Sequence, residues 1–346
     1  MSTIKETSLP VDKAVSRSHV AIIIPTINAR VFWDPLSAGL RLQGFPPEQV
    51  LIVDSSSDDG TRELAAKDGY RVDCIDRKDF NHGGTRQAAL ALVPWARIVV
   101  YLTQDAILAN PDALDRLLAA FEDSDVAAAY GRQLPRAGAG AIEAHARLFN
   151  YPEKSEVRDF ESRHALGIKA AFLSNSFAAY RVDELQRVGG FSPDVIMAED
   201  ALVAGKLLLA GRKLAYVAES QVYHSHAFSV AQEFRRYFDT GVYHRSEAWL
   251  CEKFGKPNDE GVRFVLSELS YLMRRAPYLI PYALFRTVTK ALGYKLGKHG
   301  ARLGRGLSKK FSYHKRFWDL PTGLSGEVSK TSGGSNVTIS GPPSLG

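Results

Sequence analysis

The chain of 346 residues is 45% apolar, 24% charged and 10% aromatic, with a mean hydropathy of -0.16. These proportions exclude a disordered chain, a collagen-like fibre and a polytopic membrane protein, and the length allows one large domain with an appendage. Two cysteines, Cys74 and Cys251, are too few and too far apart for a disulfide framework or a cysteine-based zinc site. The first twenty residues lack the apolar run of an export signal, so a cytosolic protein is expected.

Lys and Arg number 44 against 38 Asp and Glu, a formal net charge of +6. Residues 271–316 hold twelve of those cations and no acid, which leaves the other 300 residues at -6. An acidic body with a basic end suits docking on an anionic surface. No recognisable nucleic-acid module accompanies the charge, so the surface is read as an anionic membrane and nucleic acid is not expected as a partner.

After a stretch at 1–18 read as disordered, short apolar β-type runs alternate with amphipathic helical ones. Strands are expected at 20–24, 50–53, 71–75, 98–102 and 126–130, with helices near 36–43, 61–67, 85–92 and 111–121. This βαβα rhythm predicts a largely parallel sheet with helices on both faces. A loop at 135–140, a helix at 141–151 and renewed order at 172–180 follow, then Gly189-Gly190-Phe191. Glu199 and Asp200 open an apolar helix that Gly211 stops, before a strand near 214–217. Beyond Phe228 the pattern is mostly helical. Leu284, Val288, Leu292 and Leu296 share one helical track, with Arg286, Lys290 and Lys298 on the other faces, as in a basic amphipathic helix. The longest uncharged run there, 276–285, is half the ~20 residues needed to cross a bilayer. It can lie on a membrane but not span one. The tail 321–346 has 15 Gly, Ser or Pro among 26 residues and reads as disordered. The chain thus divides into 1–18, an α/β domain at 19–230, a basic helical region at 231–320 that is also the candidate homodimer contact, and the tail.

In such a sheet ligands bind beyond the carboxyl ends of the strands. Asp54 follows one apolar run; a carboxylate there can accept hydrogen bonds from a base or ribose, although the serines, aspartates and glycine behind it also suit a turn and a helix cap. Asp105 closes Thr103-Gln104-Asp105 after another run and offers a hard oxygen to a divalent cation bridging two phosphates, or caps the next helix. In Phe80-Asn81-His82-Gly83-Gly84-Thr85-Arg86 paired glycines precede a helix with a guanidinium in its first turn, a pattern that suits a diphosphate and also an ordinary turn. Glu199 or Asp200 could deprotonate a hydroxyl, or supply favourable charge at a helix start. His224 and His226 flank Ser225, so an extended strand puts both imidazoles on one side within reach of one metal.

Taken in order, Pro25-Thr26-Ile27-Asn28, Asp54 with Asp58-Asp59-Gly60-Thr61, Gly84-Thr85-Arg86, Gln104-Asp105, Gly189-Gly190-Phe191 and Glu199-Asp200 resemble the inverting glycosyltransferases of family 2, over about residues 19–230. The run from Phe80 to Arg86, with Ala198-Glu199-Asp200 and His224-Ser225-His226, is similar to the bacterial rhamnosyltransferases of surface polysaccharide (O-antigen) synthesis. That resemblance implies a single Rossmann-like, GT-A type domain with a mostly parallel sheet, followed by the helical region. It implies a nucleotide-sugar pocket at Pro25, Thr26, Asn28 and Asp54, with Gly84, Arg86 and Gln104 near the base or diphosphate. It implies Mg or Mn at Asp105, the last residue of an Asp-x-Asp motif in which Thr103 replaces the first aspartate, with His224 or His226 completing the shell. Asp200 takes the place of the catalytic base, with Glu199 the second candidate, and Gly189, Gly190 and Phe191 shape the sugar and acceptor cleft. The implied reaction is a single displacement from dTDP-β-L-rhamnose to a hydroxyl of a lipid-linked or surface glycan, giving an α-L-rhamnoside. It would take place in the bacterial cytoplasm, on the inner membrane. Two other readings are a UDP-hexose or UDP-N-acetylhexosamine donor on the same fold, and a nonenzymatic nucleotide or polysaccharide binder, which Thr103 favours.

Overall fold

A computed structural model describes residues 16–255, 260–300 and 303–319. The tail at 321–346 and all but the last residues of the stretch at 1–18 lie outside the described residues. Strands β1 (Val20–Thr26), β2 (Val50–Asp54), β3 (Arg71–Cys74) and β4 (Ile98–Leu102) run parallel, β1 lying between β2 and β4. Nearly every residue of β1, β2 and β4 is buried, because helices cover both faces, and that is why these strands read as unbroken apolar runs rather than alternating ones. Helices α1 (Arg30–Leu42), α2 (Thr61–Lys67), α3 (His82–Leu90) and α4 (Ala113–Ala119) supply the cover. Trp33, Leu36 and Leu40 of α1, Ala65 of α2 and Leu114 and Leu117 of α4 meet Val20, Ile22 and Ile24 on one face. Ala89 and Leu90 of α3 meet Ala21 and Ile23 on the other.

The remaining strands are β5 (Ile107–Leu108), β6 (Val126–Leu134), β7 (Glu156–Arg158), β8 (Phe177–Arg181) and β9 (Lys213–Tyr223). The sheet order is β3-β2-β1-β4-β8-β6-β9-β5, with β7 on β9. Only β8 and the short β5 and β7 pair antiparallel to their neighbours. The carboxyl ends of β1, β2, β4, β6 and β9 and the amino end of β8 therefore share one edge. Strand β9 is longer than its apolar run suggests, because a bulge takes up its polar middle. Val217 pairs with Gly131 and Gln221 with Arg132, so residues 218–220 have no partner on β6. Helix α1 begins at Arg30 although Pro35 lies inside it. The carbonyl that Pro35 leaves without a donor is that of Val31, which is 80% exposed and open to water.

Helices α5 (Ala141–Asn150), α6 (Arg163–Leu166), α7 (Val182–Arg187) and α8 (Glu199–Leu209) lie between these strands. Beyond β9 come α9 (Val230–Ser246), α10 (Ala248–Phe254), α11 (Glu260–Arg275), α12 (Ile280–His299) and α13 (Gly304–Phe311). Helix α12 packs on α9 through its small residues, not through its leucines. A Cβ on Gly293 would stand 2.4 Å from the Phe234 carbonyl oxygen, and one on Gly297 1.9 Å from that of Phe238. The track of Leu284, Val288, Leu292 and Leu296 points outward instead, 44%, 58%, 54% and 37% exposed. Among the described residues, no helix is long and apolar enough to cross a membrane.

Gly297→Ala should destabilise the protein by about 1–3 kcal/mol, as a methyl forced into backbone contact does. Gly306→Ala, which meets open space in α13, should be neutral or stabilising by up to ~1 kcal/mol. Urea denaturation midpoints of the two variants check both.

Candidate active site

At the shared edge the loops after β1, β2 and β4 are tied together. Asp54 is fully buried and its carboxylate accepts from Thr26 Oγ1 at 3.0 Å, Ser57 N–H at 2.8 Å and Ser57 Oγ at 2.5 Å. Asn28, at a φ of 48°, donates its N–H to Ser57 Oγ at 2.8 Å and accepts from Asp58 N–H at 3.1 Å. Gln104 holds both backbone groups of Ile27, at 2.7 and 3.0 Å. Pro25, Thr26, Asn28, Asp54 and Gln104 are thus one hydrogen-bonded shelf. Its carboxylate is a frame inside the shelf rather than a group on the surface, since Thr26 and Ser57 already use the Asp54 oxygens.

The glycine-rich segment has a packing role in place of the expected diphosphate cradle. Asn81 Oδ1 caps α3 by accepting the Gly84 N–H at 2.8 Å. A Cβ on Gly83 would lie 2.1 Å from the Ser192 carbonyl oxygen, so glycine is required there for close approach. Arg86 is buried, and its Nη1 donates to Glu199 Oε1 and to the His82 carbonyl, both at 2.9 Å. Gly189 and Gly190 form the left-handed turn after α7, and Phe191 is buried edge-on against Tyr101 and Tyr180, each ring 5.3 Å away. Gly190 and Phe191 are therefore buried and Gly189 is an exposed turn residue, and none of the three lines the cavity, because an apolar ring at the end of a short helix is worth more out of water than at a polar wall.

A cavity of about 480 Å³ opens at the same edge, lined by Arg86, Asp105, Glu199, Asp200, His224 and His226 among others. His224 and His226 approach each other at 3.1 Å between their Nε2 atoms, and Asp105 Oδ1 and Oδ2 lie 3.4 and 3.5 Å from them. Ligands at right angles about 2.1 Å from one cation stand about 3.0 Å apart, so the imidazoles have the spacing of adjacent ligands. The protonation fits as well. Arg147 donates to Gln133 Oε1 at 2.5 Å, which fixes that oxygen as acceptor for His224 Nδ1–H at 2.8 Å and leaves the lone pair of His224 on Nε2. Burial, helped by the neighbouring His224, pushes His226 down to about 4, so His226 is neutral at pH 7. Burial alone would raise Asp105, but its contacts with His224 and His226 and a hydrogen bond from Thr103 outweigh this and hold it well below the usual carboxylate range. The three donors can hold a divalent cation.

Opposite them, α8 starts at Glu199 after Ala198, a non-glycine residue in the left-handed region at a φ of 59°. Glu199 accepts from Arg86 and, at 3.1 Å, from Asn175 Nδ2. Burial works to raise it, yet the charges of Arg86 and His82 leave it below its ordinary value. Among the described residues, Asp200 accepts only from backbone N–H groups, those of Asn175 at 2.9 Å and Ala201 at 2.8 Å, and it is partly open to the cavity. Burial and the adjacent Glu199 charge push it up to about 7. The two neighbours therefore differ in kind: Glu199 is a held anion and Asp200 a group able to exchange a proton near neutrality.

Sequence reasoning missed Asn175, Arg147 and Arg236, which line the same cavity. Arg236 comes from α9 and lies over Phe228 at 4.5 Å and Tyr313 at 5.7 Å. Tyr313 and His314 are held over the site by their N–H bonds to Asp239 of α9, both 2.9 Å. No local motif marks these residues, because they reach the cavity from separate elements: Arg147 from α5, Arg236 from α9, Asn175 from the turn before β8 and His314 from the bend after α13. The helical region nonetheless forms part of its wall.

The family model described as Glycosyl transferase family 2 matches residues 21–189. The O-antigen chain rhamnosyltransferase RfbN of Salmonella typhimurium is 44% identical over 301 residues, 87% of this chain and 96% of that protein. The O-antigen chain rhamnosyltransferase WbaN of Salmonella anatum is 44% identical over 299 residues, 86% and 95% of the two chains. In fold, the chain is similar to the mannosyltransferase PcManGT from Pyrobaculum calidifontis, solved with GDP-Man and Mn2+, at a TM-score of 0.50, 20% identity and 89% coverage of each chain. With a relative this similar along nearly its whole length and a family match that runs from β1 past β8, the chain belongs to glycosyltransferase family 2 and is a glycosyltransferase.

Proposed function

We propose that this enzyme transfers L-rhamnose from dTDP-β-L-rhamnose, with inversion, to a hydroxyl of a lipid-linked or surface glycan in bacterial O-antigen synthesis. The observation that carries the reading is one cavity holding Asp200, with its raised pKa, opposite the Asp105, His224 and His226 trio. The two 44% identical relatives, both O-antigen chain rhamnosyltransferases, support the sugar and the setting. The nucleotide rests on Pro25, Asn28 and Gln104 of the shelf, whose frame Thr26 and the buried Asp54 hold, with its diphosphate beside Asp105, the residue after Gln104.

Asp200 takes the proton of the acceptor hydroxyl, the oxygen attacks the anomeric carbon from the face opposite the nucleotide, and the nucleoside diphosphate departs with the bond electrons. Glu199 stays ionised against Arg86, keeping a second negative charge beside Asp200 that makes it a stronger base. Asp105, His224 and His226 would hold a divalent cation, which when bound supplies positive charge to the leaving diphosphate. Two imidazoles beside one carboxylate suit Mn better than Mg, and Mn2+ is the ion in PcManGT. The outward apolar track of α12, with exposed Arg274, Arg275, Lys295 and Lys298 nearby, supports peripheral attachment to the cytoplasmic face of the inner membrane.

Asp200→Asn should lower kcat by ~10²–10⁴-fold with the melting shift given by dTDP unchanged. In the wild type, kcat/KM for transfer should fall as the pH drops below about 7 and level off above it, because only the ionised carboxylate accepts a proton. A dTDP concentration near 100 times its Kd, with Mn, should stabilise the protein by ~2.7 kcal/mol, and Asp105→Ala should remove the metal-dependent part. A larger shift with UDP than with dTDP would overturn the rhamnose assignment. Binding to anionic vesicles should weaken by ~1 kcal/mol for each of Arg274, Arg275, Lys295 and Lys298 neutralised and should fall with salt, as measured by co-sedimentation.

A further inference from the structure

Two further spaces lead away from the catalytic cavity. Arg147, Asn150, His226, Phe228 and Arg236 line both the cavity and a neck of about 180 Å³ beside it. Asn150, Tyr237, Phe264 and Lys290 in turn line both that neck and a groove of about 630 Å³ between α5, α9, α11 and α12. The three spaces differ in chemistry. The cavity is mixed, with charged side chains at Arg86, Asp105, Glu199 and Asp200 beside aromatic and aliphatic ones. In the neck, Arg286 and Lys290 share one carboxylate, that of Glu233, at 2.8 and 3.4 Å, Glu143 is a further acid in the lining, and burial pushes Glu268 up, toward its neutral form. Among the described residues, Arg147 and Arg236 have no carboxylate within salt-bridge distance, so where the neck meets the cavity two guanidiniums are open to an anion. The groove is walled by apolar side chains, Phe264 and Val265 among them, and its rim is open to water, with Val262 60% and Leu266 61% exposed.

The position of these features relative to the sheet decides what they can serve. Arg147 is on α5 after β6 and Arg236 on α9 after β9, whereas the shelf stands at the ends of β1 and β2, on the other side of β4. The two guanidiniums are therefore on the side away from the donor shelf. A sugar hydroxyl at Asp200, an anionic linkage at Arg147 and Arg236 and a hydrocarbon chain in the groove form one continuous amphipathic ligand. We infer that the neck and groove bind the phosphate and the lipid chain of an acceptor glycan that is joined to its lipid through phosphate. This rests on the reading of the enzyme as a transferase to a lipid-linked glycan and assigns the residues that hold the lipid part.

The test is calorimetric titration of the full chain with dodecyl diphosphate below its critical micelle concentration, inorganic diphosphate and dodecyl maltoside. Dodecyl diphosphate should bind at least tenfold more tightly than either of the others. Leu266→Glu should raise its Kd at least tenfold without moving that of inorganic diphosphate, and Val262→Glu serves if that variant does not fold. Arg236→Gln should weaken both diphosphates and leave dodecyl maltoside unchanged. Equal affinities for dodecyl and inorganic diphosphate, or groove variants without effect, would overturn the inference. So would a Leu266→Glu variant that changes oligomeric state while keeping its dodecyl diphosphate affinity, since the groove would then belong to a second copy. The dTDP melting shift on the same samples separates the two readings: its loss with dodecyl diphosphate binding retained counts against the donor alone.

Discussion

A guanidinium and a carboxylate that are both out of water must meet each other or be neutralised, and Arg86 and Glu199 meet at 2.9 Å beneath the cavity. Breaking such a pair by removing one partner costs about 3–5 kcal/mol, so α3 and α8 are held in one relative position. The contact also divides the work of two adjacent acids. Glu199 has a cation and an amide to itself, while Asp200, one residue on, has only backbone N–H groups and a like charge next to it. A carboxyl group able to exchange a proton near neutrality thus follows from where the arginine is spent. The glycines before Arg86 serve the same end, since Gly83 lets the segment around Ser192 close onto α3.

Much of the fold was legible because strands buried on both faces must be apolar throughout, and helices between them must carry an apolar stripe. The site was legible where position along an element determines position in space. Asp105 after β4, His224 and His226 after β9 and Asp200 at the start of α8 all come to the edge that a parallel sheet offers to ligands. Role was harder to read than place. Asp54, Gly84, Arg86 and Phe191 are near the expected surface, but the shelf, the α3 cap, Glu199 and the aromatic core use them up. A sequence shows which groups can bind a ligand and not which have already found a partner inside the protein. Arg147 and Arg236 were missed for the opposite reason: nothing beside them in the chain hints that α5 and α9 converge.

The helical region shows the same limit in another form. A helix with leucines on one track and glycines on another has two faces that can pack, and α12 uses the glycine face. Contact of backbone with backbone against α9 outweighs burial of the leucines, which leaves an apolar surface outside and cationic side chains around it. The region thereby does two things at once. Its inner side closes the cavity with Phe228, Arg236 and His314, and its outer side is free for something other than water.

The bulge in β9 constrains how the trio of Asp105, His224 and His226 can vary. Side chains of a strand alternate, so adding or removing one residue reverses every face beyond it. Residues 218–220 are an odd number of unpaired residues, and they are pinned by the Ala218 N–H to Ser155 Oγ and by Ser220 Oγ to the Ala113 carbonyl, both 2.7 Å. The meeting of His224 with Gln133 is therefore set by a count of backbone units as much as by side-chain chemistry. Among descendants of this sequence, an exchange of the exposed Glu219 is cheap for the histidine pair, whereas a single-codon deletion in the bulge would turn His224 away from Asp105 while leaving Asp105, His224 and His226 all in the gene.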